Sequence, residues 1–394
     1  MNLTNSANRR VLTISRHMST ISAVVGLANG ELKAESCSKN GLLTYTLNRP
    51  KSLNALNIEQ VIHMDEQLRR LRNYPDCSAV LFKGEGDKAF CAGGDVLQIA
   101  RSAGDSRSEW NRRWFSSEFL LNYLVSTLDK PVISIWKGIV MGGGVGLSIY
   151  GSHRIATNST MFAMPETSIG FFPDVGGSFF LTHYVKQPGL GLYLGMTGHR
   201  LSGPDTLKCG LASHYVESSM LDKLVNELTE TSDFNSTIEK FSSVPTDSTL
   251  SDEFLSSVAH YFANKDSFAD FFGCLQDGTL RKDPFAIDTM KTIQAKCPLT
   301  VRVWFESFRL GSRQSLAEVL EREYHMCIQV TEVDPHNFRE GVRALLIDKG
   351  KGSPPDYRPK SIEDVTDNMV FEIIESTVGG DIRSCLIENR LMYG

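Results

Sequence analysis

Apolar residues recur along this chain with two different periods. Leu32 to Ser38 and Leu42 to Leu47 read as strand-like runs, and the Lys39-Asn40-Gly41 between them reads as a hairpin turn. From Ile58 to Asn73 the period becomes helical, with Val61, Met64, Leu68 and Leu71 on one face behind Asn57 as N-cap. A buried strand, Ala79 to Phe82, leads into the loop Lys88-Ala89-Phe90-Cys91-Ala92-Gly93-Gly94-Asp95. A long helix over about 109–126 precedes a second buried strand, Pro131 to Trp136, and Met141-Gly142-Gly143-Gly144-Val145-Gly146 then opens another helix. Strands alternating with helices and loops predict an α/β core with a substantially parallel sheet. Past residue 188 the pattern is mostly helical. Residues 234–253, polar and rich in Ser and Thr, read as a linker or surface insertion, 298–328 as two packed helices and 349–360 as a loop. The expected organisation is a leader over 1–30, a core over 31–230 and a mainly helical C-terminal region over 231–394.

Composition narrows the partners. The chain has 394 residues, 41% hydrophobic and 22% charged, enough to bury a sizeable core. Lys+Arg 41 against Asp+Glu 46 leaves a net charge of −5, so no overall positive field draws in nucleic acid. No apolar run approaches the ~18–20 residues that span a bilayer, so no membrane partner is expected; a homo-oligomer stays open. The eight cysteines form no Cys-x-x-Cys pair and read as reduced thiols, and no His-Glu-x-x-His occurs, so no metal site is expected. Residues 1–30 hold no acid, three arginines (Arg9, Arg10, Arg16) and seven Ser/Thr, the composition of a mitochondrial transit peptide.

Several kinds of chemistry drop out. Gly-x-x-x-x-Gly-Lys-[Ser/Thr] is absent, and the Gly142–Gly146 cluster is not Gly-x-Gly-x-x-Gly, so a nucleotide cradle is unsupported. Ser148 has Tyr150 where a nucleophile elbow needs glycine. Two glycine-rich loops remain, around Gly94 and Gly143, each between a buried strand and a helix. Glycine lets a ligand approach the backbone closely. N–H groups at a helix start carry partial positive charge. Two such loops could aim one N–H each at a single oxygen, an oxyanion hole in which each donor is worth about 3–4 kcal/mol in the transition state. The segment from Met164 to Gly177 adds Glu166 and Asp174, each preceded by proline, beside Phe171 and Phe172. Desolvation there would raise a carboxyl pKa toward a usable base. Asp174 as a helix N-cap and Glu166 paired with an arginine are the alternatives.

Asn48-Arg49-Pro50-Lys51-Ser52-Leu53-Asn54-Ala55-Leu56, the Phe90 to Asp95 loop, the Gly142–Gly144 run and Pro165-Glu166 together resemble the crotonase (enoyl-CoA hydratase/isomerase) superfamily. The stretch Glu340 to Lys349 carries the resemblance into the C-terminal part. It implies a crotonase-like (ClpP/crotonase) ββα-superhelix core with a C-terminal α-helical region. It also implies an acyl-CoA substrate, no cofactor beyond the coenzyme A of that substrate, and a thioester oxygen held by the N–H groups of Gly94 and Gly143. One glutamate of the hydratases falls on Gly146, which has no side chain; the second falls on Glu166. Where hydratases usually carry glycine after the proline, this chain has Asp174. That pair resembles the hydrolases acting on 3-hydroxyacyl-CoA, with Glu166 and Asp174 catalytic and Glu118, Gly143, Glu166 and Asp174 binding substrate. For Glu118 a solvated helix face is the alternative. Tyr357, where many hydrolases have tryptophan, is expected to affect packing only. The implied reaction starts from Glu166, either attacking the carbonyl or activating a water, and coenzyme A leaves as thiolate. The alternatives are a hydratase or isomerase of the same fold and a non-catalytic component of mitochondrial ribosomes. The compartment expected is the mitochondrial matrix.

Overall fold

The computed structural model describes residues 26–71, 75–105 and 109–383. The leader expected over 1–30 falls almost wholly outside them. The strands are β1 (Leu32–Ser36), β2 (Leu42–Leu47), β3 (Ala79–Gly84), β4 (Ala89–Cys91), β5 (Val132–Trp136), β6 (Ile139–Met141), β7 (His153–Ala156), β8 (Met161–Ala163), β9 (Leu201–Ser202) and β10 (His214–Tyr215). The expected hairpin is β1 and β2, antiparallel with Leu32 opposite Leu47. Beyond it every pairing in the first sheet is parallel, in the order β1-β2-β3-β5-β7-β10. A second sheet has the order β4-β6-β8-β9, with β4, β6 and β8 parallel.

The two sheets arise from one repeated step. After each long strand (β3, β5, β7) the chain turns a short corner and lays down a three-residue strand (β4, β6, β8) in the other sheet. Helices follow the first two such pairs at once, and a 3₁₀ turn, Glu166–Ile169, follows the third. This is the ββα superhelix that the crotonase resemblance implied. Its consequence is local: the C-terminal ends of β4, β6 and β8 lie side by side, so the loops leaving them are neighbours.

Helices cover both faces. Phe82, Trp136, Phe119 and Trp304 belong to the main core, while Leu42, Leu81, Ile133 and Ile155 face the other way under Leu224, Leu228, Phe234 and Ile238. The last two lie on the helix Phe234–Phe241, N-capped by Asp233. That corrects the first part of the reading of 234–253 as a linker or surface insertion, while 242–251 is loop: eight residues with apolar positions only at Phe234, Ile238 and Phe241 leave too short a periodic signal among Ser and Thr. The two helices expected over 298–328 are Pro298–Gly311 and Leu316–Ile328; the first packs on the helices Gly177–His183 and Asp367–Ile374, the second on Trp110–Ser126. After Tyr215 the described residues contain helices and loops only, and no described helix is long and apolar enough to cross a membrane.

Candidate active site

Asn48–Leu56 braces one wall of the site. Asn54, buried, donates to the carbonyls of Glu85 (3.0 Å) and Ala89 (2.8 Å) and accepts from the Arg49 N–H (3.0 Å). Leu56 then pairs with the loop after β4: its N–H donates to the Gly93 carbonyl at 2.8 Å, and the Asp95 N–H returns to the Leu56 carbonyl at 2.9 Å. This fixes Gly93, at φ +112°, and hence Gly94.

The loop after β6 lies against it. Gly142, at φ +48°, is the N-cap of the helix Gly143–Ile149. A Cβ placed on Gly143 would sit 3.2 Å from the Gly94 nitrogen, so the two backbones are in contact. Among the described residues neither the Gly94 nor the Gly143 N–H donates to another group of the chain. Two adjacent, unspent main-chain donors are therefore brought together, from positions far apart in the chain. The loop after β8 supplies the acid: a Cβ on Gly142 would lie 3.1 Å from Glu166 Oε1.

A cavity of about 490 Å³ opens here, lined by Gly94, Gly143, Glu118, Glu166 and Asp174 together. The three carboxyls are 3%, 7% and 7% exposed, and none pairs with a cation among the described residues. Among the described residues Glu118 Oε1 and Glu166 Oε2 have no hydrogen-bond partner of good geometry. Glu118 is thus not on a solvated helix face. Asp174 is not a cap either, because the following helix is capped by Gly176. Phe171 lines the cavity and stacks on Phe115 (6.0 Å between centroids) and Phe172 (4.7 Å).

Burial in this apolar wall sets the protonation. Loss of water pushes Glu118 and Glu166 up to about 8, and Asp174 is raised well above its ordinary value by burial and then by Glu118, Glu166 and Glu323. A carboxyl whose folded pKa lies above its unfolded 4.5 keeps a proton that the unfolded chain has released, so stability falls as pH rises through that window. Glu166→Gln is accordingly expected to melt above the parent at pH 8, with the gain fading toward pH 5. An equal difference at both pH values would show that Glu166 does not hold that proton.

Gly146 decides which chemistry fits. A Cβ there would lie 2.6 Å from Val175 Cβ and 2.8 Å from Asn122 Nδ2, so no second glutamate can stand at this position. Val175 is itself β-branched at φ +52°, a conformation costing on the order of 1–3 kcal/mol. Ser148 accepts from Trp136 Nε1 (2.9 Å) and donates to the Gly144 carbonyl (2.8 Å), a structural role. Tyr357 does more than pack: its hydroxyl donates to the Ser168 carbonyl at 2.6 Å, within the 3₁₀ turn that begins at Glu166.

Trp114, Arg200 and Phe338 also line the cavity, as do Leu345 and Leu346 from the stretch Glu340 to Lys349, for which the sequence indicates resemblance but no place in the site. Phe338 lies on the helix His336–Val342 with nothing local to mark it.

The enoyl-CoA hydratase/isomerase family model matches residues 42–374. The chain is 36% identical over 96% of its length to the mitochondrial 3-hydroxyisobutyryl-CoA hydrolase of Mus musculus, covering 96% of that protein. It is 36% identical to 3-hydroxyisobutyryl-CoA hydrolase 1 of Arabidopsis thaliana, over 86% of this chain and 90% of that one. Among solved structures, a carnitinyl-CoA dehydratase from Mycobacterium thermoresistibile superposes with a TM-score of 0.78 at 33% identity, over 88% of this chain and 96% of that one. By fold, by the matched family model and by its similarity to these 3-hydroxyisobutyryl-CoA hydrolases, the chain belongs to the enoyl-CoA hydratase/isomerase family.

Proposed function

We propose that this protein hydrolyses the thioester of 3-hydroxyisobutyryl-CoA, and of 3-hydroxypropionyl-CoA as a second substrate, to the free hydroxy acid and coenzyme A. The observation that carries the reading is the opposition of two contacting glycine backbones, Gly94 and Gly143, to a desolvated Glu166 in one cavity. The thioester oxygen sits between the two N–H groups, which stabilise the negative charge that grows on it. Ionised Glu166 either takes a proton from a water that attacks the carbonyl carbon, or attacks that carbon itself and is released by water in a second step. In both, the C–S bond breaks and its electron pair leaves on sulfur, which needs little protonation because a thiol pKa is near 8.5. Capture of an acyl group on Glu166 by hydroxylamine during turnover separates them, since only the second route forms an anhydride; label in Glu166 after one turnover in heavy-oxygen water would mark the same route with water entering at the Glu166 carboxyl carbon.

Asp174, whose pKa burial raises, serves in this reading as the hydrogen-bond partner of the 3-hydroxyl of the acyl group. A site built for a hydroxyl can reject analogues lacking it by up to ~10⁴–10⁵-fold. Water addition by paired glutamates is disfavoured because Gly146 has no room for the second. The mitochondrial name of the mouse relative and the acid-free residues 1–30 support the mitochondrial matrix as the compartment, and the substrate would place the reaction in valine breakdown. The test is thiol release on a panel of 3-hydroxyacyl-CoAs with unhydroxylated controls, run on the parent and on Asp174→Asn. The parent is expected to prefer the hydroxylated esters and Asp174→Asn to lose most of that preference. An unchanged preference removes Asp174 from the recognition of the hydroxyl.

A further inference from the structure

Between Asp174 and the helix Gly177–His183 the backbone takes a shape its own residues do not favour. Val175 stands at φ +52° and Gly176 at φ +79°, two left-handed residues in succession, the first with a branched Cβ. Such a turn persists only when its surroundings impose it. The surroundings here are side chains from distant elements. Glu323, on the helix Leu316–Ile328, is 0% exposed. Its Oε2 accepts from the Gly176 N–H at 2.7 Å, and its Oε1 accepts from the Ser178 N–H at 3.1 Å and the Ser178 hydroxyl at 2.7 Å. The Tyr150 hydroxyl donates to the Val175 carbonyl at 2.8 Å. Arg322 completes the cluster from the far side, donating through Nη2 to Ser178 Oγ (2.8 Å) and through Nη1 to Ser307 Oγ (3.0 Å).

We infer that Glu323, together with Tyr150, is a positioning residue that holds this left-handed turn and so aims the Asp174 carboxyl into the acyl cavity. Glu323 does not line that cavity and acts only through the turn. The inference rests on the role proposed above for Asp174. Both carboxylate oxygens of Glu323 are used as acceptors, and glutamine would set an N–H₂ against backbone N–H groups.

Glu323→Gln and Tyr150→Phe are to be compared with Asp174→Asn by thiol release on matched hydroxylated and plain acyl-CoAs, with a melting curve for each protein. Glu323→Gln is expected to lower the ratio of kcat/KM values by about 10-fold or more, as misplacing a recognition group does. Tyr150→Phe should lower it less. In an Asp174→Asn background Glu323→Gln should lower the ratio no further, because both act through one group. A glutamate that only supports the fold would depress Tm and both activities alike, and an unchanged ratio overturns the inference, as does a ratio that drops again in the double variant. Should Glu323→Gln fail to fold, Tyr150→Phe decides on the same ratio. If Asp174→Asn itself keeps the parental ratio, the role of Asp174 fails and the inference with it. A ratio lost in Asp174→Asn but intact in Glu323→Gln overturns the inference alone.

Discussion

Glu166→Gln is expected to lower kcat for thioester hydrolysis by about 10²–10⁴-fold, the range typical of losing a positioned base. Binding of the CoA ester should stay within a few-fold, since glutamine keeps the shape of a side chain that is largely protonated in the free protein. Burial holds Glu166 at about 8, so catalysis in the parent should climb as pH rises toward that value and the ionised fraction grows. Single-turnover rates across pH 6–9, with calorimetric titration of the inactive variant, check both statements. A variant that keeps a tenth or more of the parental kcat would take Glu166 out of the reaction.

The second large effect is expected from one methyl group. In Gly143→Ala the new Cβ would fall 2.3 Å from Glu118 Oε1 and 3.2 Å from the Gly94 nitrogen. Glu118 Oε1 ends a flexible side chain that lines the cavity, so the carboxyl can swing aside, losing its place in the site. The 3.2 Å contact is with backbone and is not relieved that way, so the Gly94 and Gly143 donors are pushed apart, and a displaced donor of this kind costs about 10²–10³-fold in kcat. Overpacking also costs about 1–3 kcal/mol of stability, so Tm should fall alongside. Near-parental kcat in a protein with lowered Tm would mean that the Gly143 N–H does not meet the reacting oxygen.

Much of this architecture is legible in the chain because each part has a local cause. The hairpin at Asn40-Gly41, the helix Ile58–Leu71 and the buried runs of β3 and β5 are periodic and bounded by turn residues. The two glycine loops and the Pro-preceded acids stand out for the same reason. That they converge is not local. It follows from the parallel register of β4, β6 and β8, three strands of three residues, too short to show a period of two. The crowding at Gly146 depends on Val175, which a reading of either residue alone cannot disclose. Phe338, Leu345 and Leu346 reach the cavity from the C-terminal region by long-range packing. Tyr357 looks like filler until its hydroxyl is seen on the Ser168 carbonyl.

The contact between Gly146 and Val175 also bears on how this scaffold could change its trade. Installing a carboxylate at 146 is not a single step, for any Cβ there strikes a neighbour already locked in an uncomfortable pose. The neighbour would have to shrink first, and shrinking it slackens the segment that carries Asp174. A designer walking this scaffold from ester cleavage to water addition therefore needs paired substitutions, since either change alone damages the segment that carries Asp174.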